Sequence, residues 1–201
     1  MKLQHILLGL PLILGACSTV ERVDPNSDDA VTTMGVDYDE LTEWSETLTR
    51  RMLDSRFLDD PELGDHPIYM VVSKIENKTD LSNFPTEVVL GQIRASLLQS
   101  EKVRFVTTYG DDATDRMTRE TQGMVDDPMF DKDQIPEAGQ AAVARLSLRT
   151  QIIWIYGQSK KEKQNTYLVR MLVTDVKSGV AIWEAESDPI AKKYSKGGLG
   201  W

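Results

Sequence analysis

The hydrophobic pattern opens with one short apolar run, which covers residues 6–16 and ends in the small residues Gly15 and Ala16. Lys2 gives the chain a basic tip just before this run. A basic tip, a short apolar segment and small residues before a cleavage point are typical of a secretory signal peptide. The run is too short for a permanent membrane span, which needs about 20 apolar residues. We therefore predict a signal peptide over residues 1–16.

A polar stretch comes next, and residues 18–36 show no helical or strand-like period. Polar segments without such a period are typical of loops. We therefore predict a flexible tether over residues 17–36. At about 3.3 Å per extended residue, the tether reaches roughly 60 Å.

The first helix is predicted over residues 37–57. Asp37 and Glu40 have the three-residue spacing of a helix cap and its capping partner. Four apolar residues recur at three- and four-residue spacing, as on the buried face of an amphipathic helix. They are Leu41, Trp44, Leu48 and Met52.

A strand–helix–strand unit is predicted next. Residues 68–75 are almost continuously apolar, which is typical of a strand that is covered on both faces. A polar loop over residues 76–80 follows, and Pro85 suits the first turn of a second helix. One side of that helix is lined by Val89, Leu90, Ile93 and Leu97. Residues 103–107 are predicted to form a second strand. Two strands that are connected by a crossover helix run parallel, so we predict a parallel pair.

From Leu146 onward the pattern alternates with a period of two, which predicts strands from 146, over 166–176 and over 180–186. In the second of these strands one face carries Tyr167, Val169, Met171 and Val173. Lys177-Ser178-Gly179 is a tight turn, with Gly where a positive φ is wanted. We predict that these strands form an antiparallel meander, whose last strand is residues 180–186. A loose tail is expected from Pro189.

The region between these units is less regular. We expect one weakly anchored helix and a solvated acidic loop over residues 110–134, then a short helix over residues 136–145. The predicted fold is α+β (mixed α/β), with a single mixed sheet and helices packed on it. One globular domain would cover residues 37–201.

Composition limits what the chain binds. The 32 acidic and 23 basic residues give a net charge of −9, which argues against nucleic acid and against an electrostatic hold on anionic lipid. Cys17 is the only cysteine, so the chain has no disulfide. The domain must be stabilised by its core alone.

Residues for catalysis are scarce. The two histidines are His5, inside the predicted signal peptide, and His66, so a Ser-His-Asp, Cys-His or multi-histidine zinc site has no set of ligands. Asp175 and Glu184 flank a hairpin turn, where carboxylates are commonly solvated. The acidic residues over 126–133 do not fit the EF-hand pattern. We predict no catalytic residue, no metal site, no cofactor and no small-molecule substrate, and interpret the chain as a binding module.

Cys17 has a specific context. Leu14-Gly15-Ala16-Cys17 resembles the bacterial lipobox, in which the cysteine is acylated and becomes the mature N-terminus. A single acyl chain anchors only marginally, whereas two or more anchor stably. The resemblance therefore implies a lipid attachment site at Cys17 and a triacylated anchor.

Three further stretches resemble one protein family, the penicillin-binding-protein activator lipoproteins of the LpoB type. They are residues 75–79 (IENKT), 92–97 (QIRASL) and 172–184 (LVTDVKSGVAIWE). The similarity covers roughly residues 68–186, and it implies a fold like the N-terminal domain of the translocation protein TolB.

The resemblance implies a regulatory role. Members of this family sit in the outer membrane, facing the periplasm, and bind a class A (bifunctional) penicillin-binding protein, whose peptidoglycan synthesis they stimulate. Ser18 after the cysteine is consistent with outer-membrane sorting. For docking, Asn77, Lys78 and Thr79 are candidates because loops at strand ends commonly bind partners. The alternative is plain turn chemistry, in which Asn77 and Thr79 bond locally.

One departure from the family and one wider occurrence of the fold leave a second function open. The tether here is short and nearly free of proline, whereas the best-known family members have a long Pro-rich linker. The same fold also occurs in curli-secretion channel subunits, which are structural or secretion-associated lipoproteins. Ring oligomers without any effect on a synthase would identify that alternative.

Overall fold

The computed structural model of the chain describes residues 23–25, 27, 32–64, 67–79, 84–109, 115–124, 127–129 and 142–195. The predicted signal peptide and Cys17 lie outside the described residues. Contacts divide the chain into two compact units, Met1–Ala30 and Val31–Trp201. In the first, the Ser27 hydroxyl donates to the Asp24 carbonyl over 2.8 Å. The second contains all the helices and strands below.

Helix α1 spans Tyr38–Leu53 and begins at the predicted cap, where Asp37 and Glu40 form a capping box. All four residues of the predicted apolar stripe are buried. The helix ends earlier than predicted, since Ser55 has an extended backbone. Two 3-10 turns follow, Arg56–Asp59 and Pro61–Leu63.

Helix α2 spans Thr86–Gln99 and buries one side of its surface: Val89, Leu90, Ile93 and Leu97. These are the four residues that the sequence pattern predicts. The short helix α3, Arg116–Gln122, has no buried residue. This agrees with the weakly anchored helix expected in the 110–134 region, most of whose acidic loop lies outside the described residues.

Among the described residues, seven strands form one mixed sheet. They are β1 (Ile68–Val72), β2 (Glu76–Lys78), β3 (Val103–Phe105), β4 (Leu146–Gln158), β5 (Glu162–Asp175), β6 (Val180–Glu186) and β7 (Ile190–Ser195). The main order is β3-β1-β4-β5-β6. Strand β1 is parallel to both β3 and β4, while β4, β5 and β6 form an antiparallel meander. The predicted mixed sheet is therefore confirmed.

One face of the sheet, the covered face, packs with α1 and α2 into a single core cluster. Strand β5 contributes Tyr167, Val169, Met171 and Val173, as its alternation predicts, and none is more than 1% exposed. The other face, the open face, carries half-buried or exposed side chains. The prediction that the first strand is covered on both faces is wrong, because Tyr69 on β1 is 45% exposed.

Two strands appear where the sequence predicts a loop and a tail. Strand β2 continues along β4 beyond β1, and β7 continues along β5 beyond β6. Strand β4 is longer than β1, and β5 is longer than β6. The remaining backbone N–H and C=O groups of β4 and β5 therefore need partners too. The predicted helix over 136–145 lies partly outside the described residues, and its described part, residues 142–145, is not helical.

An ionic cluster joins β7 to the start of α1. The Lys192 ammonium lies 2.5 Å from an Asp37 carboxylate oxygen and 2.8 Å from one of Glu40. Burial opposes the charged ammonium, but the hydrogen bonds with Asp37 and Glu40 outweigh it and raise the pKa of Lys192. Just before the helix, the Met34 carbonyl accepts hydrogen bonds from Asn165 and Tyr167. The entry to the domain is therefore held against β5 and β7.

Candidate functional site

A register shift along β4 gives the open face its most organised group of charges. Val72 pairs with Leu148, and Glu76 pairs with Gln151. Between the two pairs, three residues (73–75) lie in the segment from β1 to β2, whereas only two residues (149 and 150) lie on β4. Because side chains alternate between faces, one extra residue moves the following side chains to the opposite face. Glu76 and Lys78 consequently lie on the open face beside β4.

Glu76 is the centre of this charged cluster. One carboxylate oxygen accepts from Arg149 Nε over 2.6 Å, and the other accepts from Gln151 Nε2 over 3.0 Å. The Lys78 ammonium lies 3.3 Å from the second oxygen. Three donors from two strands therefore hold one carboxylate in a fixed orientation.

The pKa values reflect this arrangement. The hydrogen bond from Arg149, followed by that from Gln151, lowers the pKa of Glu76 from 4.5 to about 2. The same contact raises the pKa of Arg149 above its usual value. Glu76 is therefore ionised at any physiological pH and cannot act as a general acid there.

The three predicted docking residues lie at the end of β2. Thr79 donates to Asn77 Oδ1 from its backbone N over 2.9 Å and from its hydroxyl over 2.6 Å. This is the local turn chemistry that the sequence offers as the alternative interpretation. Lys78 contacts Glu76, and its side chain is 58% exposed. The docking role of these residues stays a prediction.

A second cluster extends the charges across the open face. Arg170 on β5 contacts Glu186 and lies 3.5 Å from Glu184, both on β6. Half-buried Leu168 and Leu172 flank Arg170 on the same face of β5. The open face thus combines paired charges with apolar surface, a mixture that is common in non-obligate protein interfaces.

The two carboxylates beside the hairpin turn do not act together. Asp175 accepts from Arg145 Nε over 2.8 Å and from Nη2 over 3.1 Å, whereas Glu184 contacts Arg170. The hydrogen bond from Arg145 is the main reason that the pKa of Asp175 falls from 3.8 to about 2. Asp175 also accepts from the Lys177 backbone and the Ser178 hydroxyl, which fixes the turn. Its role is structural.

Within the described part of the chain, no group of three or more His, Cys, Asp or Glu side chains is arranged to hold a metal ion. None of the helices described is both long enough and apolar enough to cross a membrane.

Sequence reasoning missed Glu76 and Gln151 as parts of a site. It assigned Glu76 to a loop and gave Gln151 no role. Arg149 and Arg170 are both paired with carboxylates, which the alternation of their strands does not indicate. Glu76 and Arg149 are 73 residues apart in the chain. No local signal connects them, because their contact depends on the pairing of β2 with β4.

Comparisons with known proteins give one family and a set of structures. The model of the family described as "Peptidoglycan-synthase activator LpoB" matches residues 42–188. No curated protein matches the chain significantly.

Among solved structures, the chain is similar to the C-terminal domain of LpoB from Salmonella enterica, with 13% identity and a TM-score of 0.43, over 75% of this chain and 98% of that one. The corresponding domain from Escherichia coli has 14% identity and a TM-score of 0.42, over 73% and 96%. Lipoprotein GNA1162 from Neisseria meningitidis has 11% identity and a TM-score of 0.35, over 67% and 88%.

Proposed function

We propose that this chain, which belongs to the LpoB family of peptidoglycan-synthase activators, binds a class A (bifunctional) penicillin-binding protein and raises its rate of peptidoglycan synthesis. The observation that carries the proposal is the family match over residues 42–188, which includes α2 and every strand up to β6. The class of the synthase and the location in the outer membrane are further parts of our proposal, beyond the family match itself.

An activator of this kind needs no catalytic group of its own. A protein that binds the active conformation of an enzyme better than the inactive one shifts the population toward activity. The largest stimulation it can give is set by the ratio of its two affinities. The fixed charges of the open face suit such a role, since they need little reordering when a partner binds.

The anchor belongs to the same proposal. Acylation at Cys17, after removal of residues 1–16, would hold the protein at the periplasmic face of the outer membrane. The tether up to residue 36 reaches roughly 60 Å when extended. The synthase domain that it meets must therefore lie within that distance, plus the dimension of the folded domain, of the outer membrane.

Docking is proposed at the end of β2, through Asn77, Lys78 and Thr79, next to the cluster around Glu76. Lys78 is the cleanest residue to test. Its ammonium is exposed, whereas changing Asn77 also removes the acceptor of the turn. A charge at the rim of an interface mainly affects association and its dependence on salt.

The test measures glycan polymerisation by a purified class A penicillin-binding protein, with and without the purified full chain in detergent. We expect faster polymerisation with the wild-type chain and weaker stimulation with Lys78→Glu. Arg116→Glu on α3 is the matched control, because it reverses another exposed cation whose side chain is 87% exposed.

The possible outcomes separate the parts of this proposal. No stimulation by the wild-type chain would contradict the activator function, and ring oligomers in detergent would then favour the secretion-channel alternative. Equal stimulation by Lys78→Glu and the wild type would move the docking site away from the end of β2. Equal losses in Lys78→Glu and Arg116→Glu would indicate a nonspecific effect of charge.

A further inference from the structure

The distal ends of β4, β5 and β7 carry a group of aromatic and polar side chains that the activator function does not use. Trp154 and Tyr156 lie on β4, and their ring centroids are 5.7 Å apart at an angle of 41°. Lys163 lies on β5 and Tyr194 on β7, where the two residues are register partners. The Lys163 ammonium is 6.0 Å from the centroid of the Tyr194 ring.

The pairing brings these side chains to one side of the sheet. Gln158 is the register partner of Lys163 on the other neighbouring strand. Cross-strand partners point to the same face, as do residues two apart in one strand. Trp154, Tyr156, Gln158, Lys163 and Tyr194 therefore form one surface, which we call the distal platform.

The platform is accessible although it continues the covered face. Tyr156 is 44% exposed and Tyr194 is 40% exposed, while residues 146–152 on the same face of β4 are buried. The two tyrosines lie on the outer strands of a three-stranded ribbon, so about 10 Å separates their strands. Two exposed rings at this distance can each pack against one sugar ring of a chain.

The charge of this end differs from that of the whole protein. The chain has a net charge of −9, but residues 157–164 contain three lysines and one glutamate, and Lys193 adds a further cation. Glu162 is paired with Lys193 over 3.2 Å. Glu162 and Lys193 offset each other on the opposite face, so the three lysines of residues 157–164 leave a surplus of positive charge beside the exposed aromatic rings. Such a surplus favours an anionic ligand with apolar faces.

We propose that the distal platform binds peptidoglycan itself, with sugar rings packed on Tyr156 and Tyr194 and carboxylates of the glycan or its stem peptides held by Lys163 and the neighbouring lysines. Sugar rings present apolar C–H faces together with hydroxyls, and Gln158 supplies an amide for the hydroxyls. The choice of peptidoglycan among anionic glycans rests on the family's role; the glycan platform rests on its own geometry.

The platform and the proposed docking residues at the end of β2 form separate surfaces. Lys78 lies on the open face beside Ile153 of β4, whereas the platform lies on the other face and extends from Trp154 to the end of the ribbon. A chain that holds the glycan and the synthase at once would stay close to the product of the reaction. Binding through two surfaces raises the effective concentration of each partner near the other.

The test is cosedimentation of the purified full chain, in detergent, with purified peptidoglycan sacculi and no synthase present. We expect the wild type to sediment with the sacculi. The double variant Tyr156→Ala/Tyr194→Ala should bind about tenfold more weakly, as is typical when aromatic anchors of a binding surface are truncated. Tyr69→Ala is the matched control, since that ring is 45% exposed on the open face.

Lys163→Gln is the second variant and leaves both rings in place. It should weaken binding less than the double variant and make the remaining binding less dependent on salt. Circular dichroism checks that each variant is folded. If the double variant is unfolded, the sedimentation of Lys163→Gln alone tests the proposal.

The proposal is wrong if the wild type stays in the supernatant, or if Lys163→Gln and a folded double variant sediment like the Tyr69→Ala control. Stimulation of the synthase on soluble lipid-linked precursor, without sacculi, separates this result from the proposed activator function. The double variant should retain that stimulation. Lost stimulation with unchanged sacculus binding would instead assign the platform to the synthase.

Discussion

The covered and open faces of the sheet are made by the same strands but contain different side chains. On β5 the covered face carries Tyr167, Val169, Met171 and Val173, which are almost fully buried. On its open face the same strand carries Leu168, Arg170 and Leu172, which remain partly accessible. The alternation of one strand thus supplies a close-packed core on one side and an accessible, charged surface on the other.

The difference shows how a binding module can separate stability from recognition. Core residues gain free energy from the apolar surface they bury, and their substitution leaves a cavity. Exposed ion pairs contribute little to stability because water and salt screen them. Charged residues on the open face can therefore be substituted at small cost to the stability of the fold. Three measurements test this contrast between the two faces.

The largest effect is expected from a leucine on the covered face. Leu148 on β4 is 0% exposed, so Leu148→Ala should lower the free energy of unfolding by about 3 kcal/mol. Leu168→Ala on the open face should cost about 1 kcal/mol or less, since that side chain is only half-buried. Urea unfolding followed by tryptophan fluorescence measures both. Equal costs would mean that the two faces are not energetically different.

Two cations give the next comparison. The Lys192 side chain is 10% exposed and contacts Asp37 and Glu40, so Lys192→Met should cost about 2 kcal/mol because it leaves two carboxylates together without their cation. Arg170→Met on the open face should cost less than about 1 kcal/mol. The same urea experiment applies. A larger loss for Arg170→Met would contradict the structural role of the Lys192 cluster.

The smallest effects concern pH. Hydrogen bonds lower the pKa of Glu76 from 4.5 to about 2 and that of Asp175 from 3.8 to about 2. A carboxylate with a lowered pKa in the folded state stabilises the protein above its unfolded pKa, and this stability is lost as the pH falls toward the folded value. The free energy of unfolding should therefore decrease as the pH is lowered from 4.5 to about 2.

Neutral variants divide that decrease between the two carboxylates. Glu76→Gln should flatten the profile between pH 4.5 and about 2, and Asp175→Asn between pH 3.8 and about 2. Since the groups belong to separate clusters, the two effects should add in the double variant. Urea unfolding at a series of pH values gives the profiles. A double variant as acid-sensitive as the wild type would show that other groups control acid unfolding.

Much of the fold follows from local pattern. The apolar stripes of α1 and α2 and the alternation of β5 identify the buried side of each element, and all twelve residues named for them are buried. Asp37 with Glu40 gives the start of α1. These predictions succeed because helix and strand periods depend only on neighbouring residues in the chain.

The candidate site was only partly predictable. The motif over residues 75–79 points to the end of β2, but nothing local shows that Glu76 would meet Arg149 and Gln151. In the same way, the separate aromatic residues on β4 and β7 give no sign of a shared platform. Both sites join strands that are distant in the chain.

By itself, the sequence determined the class of the fold, the buried side of each main element and the family resemblance, since each depends on residue types at short spacings. The tertiary structure alone decided that β2 and β7 are strands and which face their side chains take. A polar segment such as residues 76–78 becomes a strand because a longer neighbour offers unpaired backbone groups beside it. The register of that pairing then determines which charges and rings meet.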